Sequence, residues 1–263
     1  MNILDQIVAH KRKEVEEQKS LFPVKLLEQR IYFQSPTVSL RKYILREDKS
    51  GIIAEIKRKS PSKGTINPHV SVERTSIGYM QAGASALSVL TDKQFFGGTQ
   101  EDLTIARKFN FCPILRKDFI LDEYQIVEAK SIGADAILLI AAMLEPEQIQ
   151  RFTKIAKSLG LEVLLEVHNE SEVEKNLNTQ VDLIGVNNRD LKTFEVSLDT
   201  SKKLASIIPD SVVKVSESGI DTPAAIRELQ QFGYRGFLLG QTFMHHSRPE
   251  KACKEFIQEL NRI

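Results

Sequence analysis

The sequence predicts an α/β fold, a (β/α)8 barrel of the TIM type carrying an N-terminal helical extension. Three observations predict it. From residue 51 onward one unit recurs: a β-rich apolar run, then polar or glycine-containing residues, then a helical pattern. The unit occurs eight times, and strand starts recur every 20 to 35 residues, the length of a βα unit. Runs such as Ala136–Ile140 are apolar throughout, which suits strands buried on both faces of a parallel sheet covered by helices. Eight consecutive units favour closure over an open doubly wound sheet. The open sheet would normally carry a G-x-G-x-x-G turn after its first strand, and none is present.

The strands are expected near 51–57, 86–91, 113–119, 136–142, 162–168, 182–187, 212–217 and 236–240. Helices are expected near 70–82, 99–109, 122–132, 145–159, 169–177, 197–207, 221–232 and 248–261. Asp122, Ser197 and Asp221 stand at N-cap positions, and Gly83, Gly133, Gly160 and Gly233 where left-handed helix ends belong. Before the barrel, Ile3, Leu4, Ile7, Val8 and Val15 form an apolar stripe at helical spacing, with Lys11, Arg12, Lys13, Glu16 and Glu17 expected on the surface. Further helices are expected near 23–31 and 37–46. Residues 1–263 are read as one domain, 1–50 as the extension and 51–263 as the barrel. The extension is either a lid or brace packed on the barrel or an amphipathic helix docked only for stability.

Thirty-six Lys and Arg against 35 Asp and Glu leave a formal charge of +1, no signature of a nucleic-acid or membrane-surface protein. The longest apolar run, Ala136–Leu144, is too short to span a bilayer. Residues 1–20 carry charges throughout, so no secretory signal is expected. Cys112 and Cys253 lack metal-ligand spacing, and reduced thiols in a cytoplasm are the simplest reading.

Active sites of such barrels lie at the C-terminal strand ends. The first strand ends in Glu55, Lys57 and then Ser60; residues two apart share a face, so Glu55 and Lys57 project with Ile53. Burying that pair is expensive, and chemistry is one reason to do so; a solvated strand-end ion pair is the plain alternative. The third strand ends in Lys117, the fifth in Glu166, the sixth in Asn187 and Arg189, the seventh in Glu217, Ser218 and Gly219, and the eighth in Gly240 and Gln241. Any one of these is explicable as a solvated end. If the barrel closes, all converge on one mouth, where two lysines and three glutamates shift one another's pKa values.

Small residues just past strands seven and eight (Ser216–Ile220, Leu238–Gln241) suit phosphate binding by backbone N–H groups, or else simple turns. His245 and His246 lack a third ligand at useful spacing, so no metal is expected. Cys112 reads as core. Phe95, Phe96 and Phe119 are either core or an apolar wall for an aromatic substrate.

Together the blocks AEIKRKSPSKG (54–64), LSVLTDKQFFGG (87–98), PILRKDFI (113–120), GADAILLI (133–140), LLEVHNESE (164–172), IGVNNRDLKTFEVSLD (184–199), VSESGI (215–220) and FLLGQTFM (237–244) resemble the indole-3-glycerol-phosphate synthase family. The N-terminal extension is similar too, so the resemblance covers essentially the whole chain. It implies a lyase of tryptophan biosynthesis that closes a ring with loss of carbon dioxide and water from a carboxyphenylamino-deoxyribulose phosphate, without metal or organic cofactor. By resemblance, Lys117 is the general acid and Lys57 its partner at the substrate carboxylate. Glu166 is the later base, Glu55 and Glu217 orient the lysines, and Asn187 binds the departing hydroxyl. Arg189 contacts the carboxylate or braces its loop. Ser60, Ser218, Gly219, Gly240 and Gln241 grip the phosphate, while Pro61, Phe96 and Phe119 line the aromatic pocket. Gln241 and Asn188 depart from the family pattern, where a small hydroxyl residue and a serine are common.

The basic loop Arg58–Gly64 is expected to be mobile and to close over substrate. The expected partner is a small phosphorylated molecule, with no nucleic acid or membrane, and the chain acts as a monomer or weak dimer. Two rivals remain. Phosphoribosylanthranilate isomerase would share the phosphate grip but needs a cysteine or aspartate acid–base pair at strand ends, and here the third strand offers Lys117 instead. A non-catalytic phosphate-binding barrel would not explain why Lys57, Lys117 and Glu166 coexist.

Overall fold

The computed structural model describes residues 3–191 and 193–262. Eight parallel strands close into a barrel: β1 (Ile52–Ile56), β2 (Ala86–Leu90), β3 (Ile114–Lys117), β4 (Ala136–Ile140), β5 (Glu162–Val167), β6 (Leu183–Asn187), β7 (Val213–Glu217) and β8 (Gly236–Leu239). Closure is made by β1 against β8, with Ile53 opposite Leu238. The pleat sorts the apolar runs into two layers. Ile53, Leu115, Leu138, Leu164, Leu183, Val215 and Leu238 fill the barrel interior, and Ile52, Ala54, Val89, Ile137, Val163 and Phe237 face the helices. Fully burying such an aliphatic side chain contributes about 1.5–3 kcal/mol.

The predicted strands and helices recur, trimmed by a few residues at their ends. Asp122 caps Glu123–Ser131 within a capping box. Gly83, Gly133, Gly160 and Gly233 take φ of +101°, +94°, +77° and +85°. Two caps differ. Thr222, not Asp221, accepts from Ala225 N, because the chain leaves β7 through two left-handed residues, Ser218 and Gly219, and starts the helix one residue later. Ser197 precedes Asp199–Leu204 by two residues, and the cap residue Leu198 is already helical. Sequence reading missed the short helices Lys93–Phe96 and Gln241–Met244, which lie at the barrel mouth.

The N-terminal segment spans the barrel from mouth to floor. Helix Ile3–Leu21 lies at the mouth. The expected helix near 23–31 shortens to Val24–Leu27 and that near 37–46 to Leu40–Ile44. Thr37 Oγ1 donates to Gly160 O at 2.6 Å and Val38 N to Asp135 Oδ1 at 2.8 Å. Leu40 and Ile44 then join the interior core and close the floor.

Lys11 corrects the surface expectation. It is fully buried, with its ammonium 2.9 Å from Asp92, 3.0 Å from Asp118 and 3.0 Å from Glu14. The physical reason is spacing: residues 7, 11 and 15 form one i, i+4 row, and Ile7 and Val15 on either side are buried. Removing one member of such a buried ionic set costs about 3–5 kcal/mol.

Candidate active site

The C-terminal strand ends surround a cavity of about 400 Å³. Every residue singled out at the strand ends lines it: Glu55, Lys57, Ser60, Pro61, Phe96, Lys117, Phe119, Glu166, Asn187, Arg189, Glu217, Ser218, Gly219, Gly240 and Gln241. Ile3, Leu4 and Ile7 of the extension also line it.

The polar groups form two linked sets. On β1, Lys57 Nζ lies 2.6 Å from Glu55 Oε1, as expected for residues two apart, and Ser88 Oγ donates to the other carboxylate oxygen at 3.3 Å. Across the barrel, Lys117 Nζ is held 2.8 Å from Glu166 and 3.1 Å from Glu217. Lys117 retains 14% side-chain exposure, toward the cavity, against 5% and 3% for these two carboxylates. Burial pulls Lys117 down, but Glu166, Glu217 and Glu55 outweigh it and hold the ammonium well above the ordinary lysine value. Burial likewise opposes ionisation of Glu166, yet Lys117 and His168 hold its carboxyl well below the usual range. Glu217 goes the other way. Burial, reinforced by the Glu166 charge and only partly offset by Lys117, pushes it up to about 7. Its Oε1 has no hydrogen-bond partner, and an unsolvated carboxylate oxygen favours the protonated form.

Two glycines make room for these carboxylates. A Cβ on Gly185 would lie 2.3 Å from Glu217 Oε1, and one on Gly240 would lie 2.5 Å from Glu55 Oε1. Gly240, read from sequence as a phosphate residue, seats a carboxylate in the structure.

His168 was missed in the sequence although it stands two residues beyond Glu166 and shares its strand face. Its Nε2 lies 3.4 Å from Glu166 Oε1 and its Nδ1 3.3 Å from Glu172. Burial lowers its pKa, but the two carboxylates raise it to about 10. The imidazole is therefore a cation at neutral pH, and it joins Lys117 in holding Glu166 ionised. Asn187 Nδ2 donates to the same Glu166 oxygen at 3.3 Å. His168→Asn is expected to raise the Glu166 pKa, because one of the two cations that hold it ionised is lost, followed by the carboxyl ¹³C shift across pH. An unmoved titration would remove His168 from this role.

Phe96 and Phe119 face each other at 5.8 Å between ring centroids and 43°, forming one apolar wall. The Arg58–Gly64 loop is an anchored hairpin in which Lys59–Ser60 pairs with Gly64–Thr65. Arg58 binds both Asp102 oxygens at 2.5 and 2.9 Å. Ser60 Oγ accepts from Lys63 N at 3.2 Å. Arg189 donates to Phe194 O at 3.1 Å, the bracing alternative. Asn188 is buried, and its amide donates to Ser216 Oγ, Glu217 O and Ser218 O at 2.9–3.0 Å, so it knits the end of β6 to the loop after β7. Cys112 is buried in the core, and burial pushes its thiol up to about 12.

Fold and cup together define a (β/α)8-barrel enzyme whose buried acids and cations gather at the C-terminal strand ends. Residues 4–256 match the family described as indole-3-glycerol phosphate synthase. Relatives of that name include one from Bacteroides thetaiotaomicron, 45% identical over 98% of this chain and 99% of its own. Another, from Carboxydothermus hydrogenoformans, is 44% identical over 95% and 98%. The chain belongs to the indole-3-glycerol phosphate synthase family. Solved structures with the same fold include 3-hexulose-6-phosphate synthase from Salmonella typhimurium, with TM-score 0.62 and 12% identity over 80% of this chain and 98% of its own. Thiamine phosphate pyrophosphorylase from Pyrococcus furiosus matches with TM-score 0.61 and 16% identity over 85% and 98%.

Proposed function

We propose that this cup closes the indole ring of indole-3-glycerol phosphate from 1-(2-carboxyphenylamino)-1-deoxyribulose 5-phosphate, with Lys117 as its central cation. The observation that carries the assignment of roles is Lys117 wedged between Glu166 and Glu217 with one face open to the cavity. The aryl carbon bearing the carboxylate attacks the sugar ketone. A C–C bond forms, and the carbonyl π pair moves to oxygen. Lys117, charged at any working pH, stabilises that oxygen and then protonates it. Carbon dioxide leaves, and the electron pair of the broken bond restores the ring. The new hydroxyl departs as water, with Asn187 binding it and Lys57 supplying the proton. Glu166 takes the proton from the carbon between the carbinol carbon and nitrogen, which completes the indole. Before reaction, Lys57 binds the substrate carboxylate.

Glu55 and Glu217 hold the lysines in place. The apolar wall of Phe96 and Phe119, with Pro61, receives the aryl ring. Ser60, Ser218, Gly219, Gly240 and Gln241 surround the phosphate. At Gln241 the backbone N–H serves irrespective of the side chain. Arg189 braces the loop over the cup.

We take the chain as one domain, because Ile3, Leu4 and Ile7 line the cavity and Leu40 and Ile44 fill the barrel floor. We take the monomer as the working unit, because one chain supplies the whole cup. A cytoplasmic setting fits the two buried free thiols. No described helix is long and apolar enough to cross a membrane. The experiment is turnover of the carboxyphenylamino-deoxyribulose phosphate followed by indole fluorescence. Product from the purified chain supports the reading, and none from folded protein overturns it.

The hairpin after β1 closes the cup. Gly64 has φ +67°, a left-handed conformation that proline, fixed near −65°, cannot adopt. Gly64→Pro is therefore expected to lower turnover about tenfold without unfolding the barrel, measured as kcat and KM beside a thermal melt. Unchanged kinetics would show that the hairpin has no part in catalysis.

A further inference from the structure

The ammonium of Lys11 has no role in the chemistry above, yet it occupies a central place at the mouth. It bridges two loops that belong to different strands. Asp92, after β2, puts Oδ2 on Lys11 and uses Oδ1 to accept from Phe95 N at 2.6 Å and Phe96 N at 3.3 Å. Asp118, after β3, puts Oδ1 on both Lys11 and Phe119 N, the latter at 2.8 Å. Its Oδ2 accepts from Thr91 Oγ1 at 2.6 Å and Arg116 at 3.0 Å. The two carboxylates that meet at Lys11 thus hold the backbones of Phe96 and Phe119, the two rings of the apolar wall. Asp118 also follows Lys117 directly. The extension adds a second contact on the same loop, where the His10 ring meets Phe95 edge-on at 5.7 Å.

We propose that Lys11 is a positioning residue for the aryl-ring pocket, setting the spacing of Phe96 against Phe119 by drawing Asp92 and Asp118 onto one buried cation. The inference rests on the ring-closure reading above, because it takes that wall to hold the substrate's ring. Lys11 does not touch substrate. A helix needed only for docking would have satisfied the row with another aliphatic residue between Ile7 and Val15. The lysine there is met by Glu14 of its own helix and, in addition, by two carboxylates from separate loops that converge on it.

The test compares Lys11→Met with Val15→Ala. Val15 lies on the same helix face and packs against Leu27 and Tyr124, away from both carboxylates, so it loosens helix docking alone. For each variant we would measure kcat and KM for the carboxyphenylamino-deoxyribulose phosphate, with a thermal melt. Binding is measured with two probes, anthranilate for the ring pocket and inorganic phosphate for the opposite end. Lys11→Met is expected to raise KM and weaken anthranilate binding about tenfold, with phosphate binding within about twofold and Val15→Ala near wild type. Equal effects in the two variants, or equal loss of both probes, would reduce Lys11 to a docking residue and overturn the proposal. If Lys11→Met does not fold, Asp92→Asn replaces it. That variant keeps the acceptor for Phe95 N and Phe96 N but removes the negative charge that faces Lys11, and it should shift the same two quantities in the same direction. Unchanged ring affinity in Asp92→Asn would equally overturn the proposal. A wild type that binds both probes but makes no indole would overturn the ring-closure reading instead and leave the Lys11 comparison readable through anthranilate.

Discussion

Replacing Lys117 by alanine is expected to lower kcat about a thousandfold or more, with a much smaller change in KM. Two effects combine. The nascent oxyanion loses its cation and proton donor. In addition, Glu166 and Glu217 lose the ammonium that lies 2.8 and 3.1 Å from them. Two buried carboxylates without that shared cation do not both stay ionised, so the proton balance of the cup is disturbed in the same stroke. Turnover followed by indole fluorescence checks this. A variant within about tenfold of wild type would move the acid to Lys57, the other ammonium in the cup.

Glu166→Gln is the second large effect. The carboxamide keeps the shape and still accepts from Lys117, so the cup stays assembled, but the carboxylate placed to take the final proton is gone. A fall of about a hundredfold to ten-thousandfold in kcat is expected. The variant differs from Lys117→Ala in where it stops. Condensation and loss of carbon dioxide do not need Glu166, so the Gln variant should halt after them, before the ring becomes aromatic. Steady-state assays see two slow enzymes, whereas a single turnover separates them.

The barrel was legible because its signals are local. Apolar runs, capping residues and left-handed glycines each act within a few residues, and eight apolar runs in succession, several of them followed by a helix that ends on a left-handed glycine, leave little choice of architecture. The candidate site was legible for the same reason. Parity along β1 places Glu55 beside Lys57, and strand-end position brings Lys117, Glu166 and Glu217 to one mouth. Partnerships were harder to read. Nothing near Lys117 in the chain says that it sits on Glu166 and Glu217 rather than on Glu55, because that is decided by barrel stagger. Lys11 was misplaced because its charge outweighed its position in the 7, 11, 15 row, and its partners lie in loops after β2 and β3. His168 was overlooked although parity pointed to it. The roles of Gly185 and Gly240 as seats for carboxylates depend on neighbours across strands, and spacing within one strand does not carry that.

The most direct test of the central claim is a single-turnover quench of the carboxyphenylamino-deoxyribulose phosphate, labelled in its carboxylate, with carbon dioxide and indole measured in the same samples. With Lys117 driving condensation and Glu166 the final proton transfer, Glu166→Gln releases carbon dioxide well ahead of indole, and Lys117→Ala releases neither. Carbon dioxide from Lys117→Ala at the wild-type rate would contradict the account.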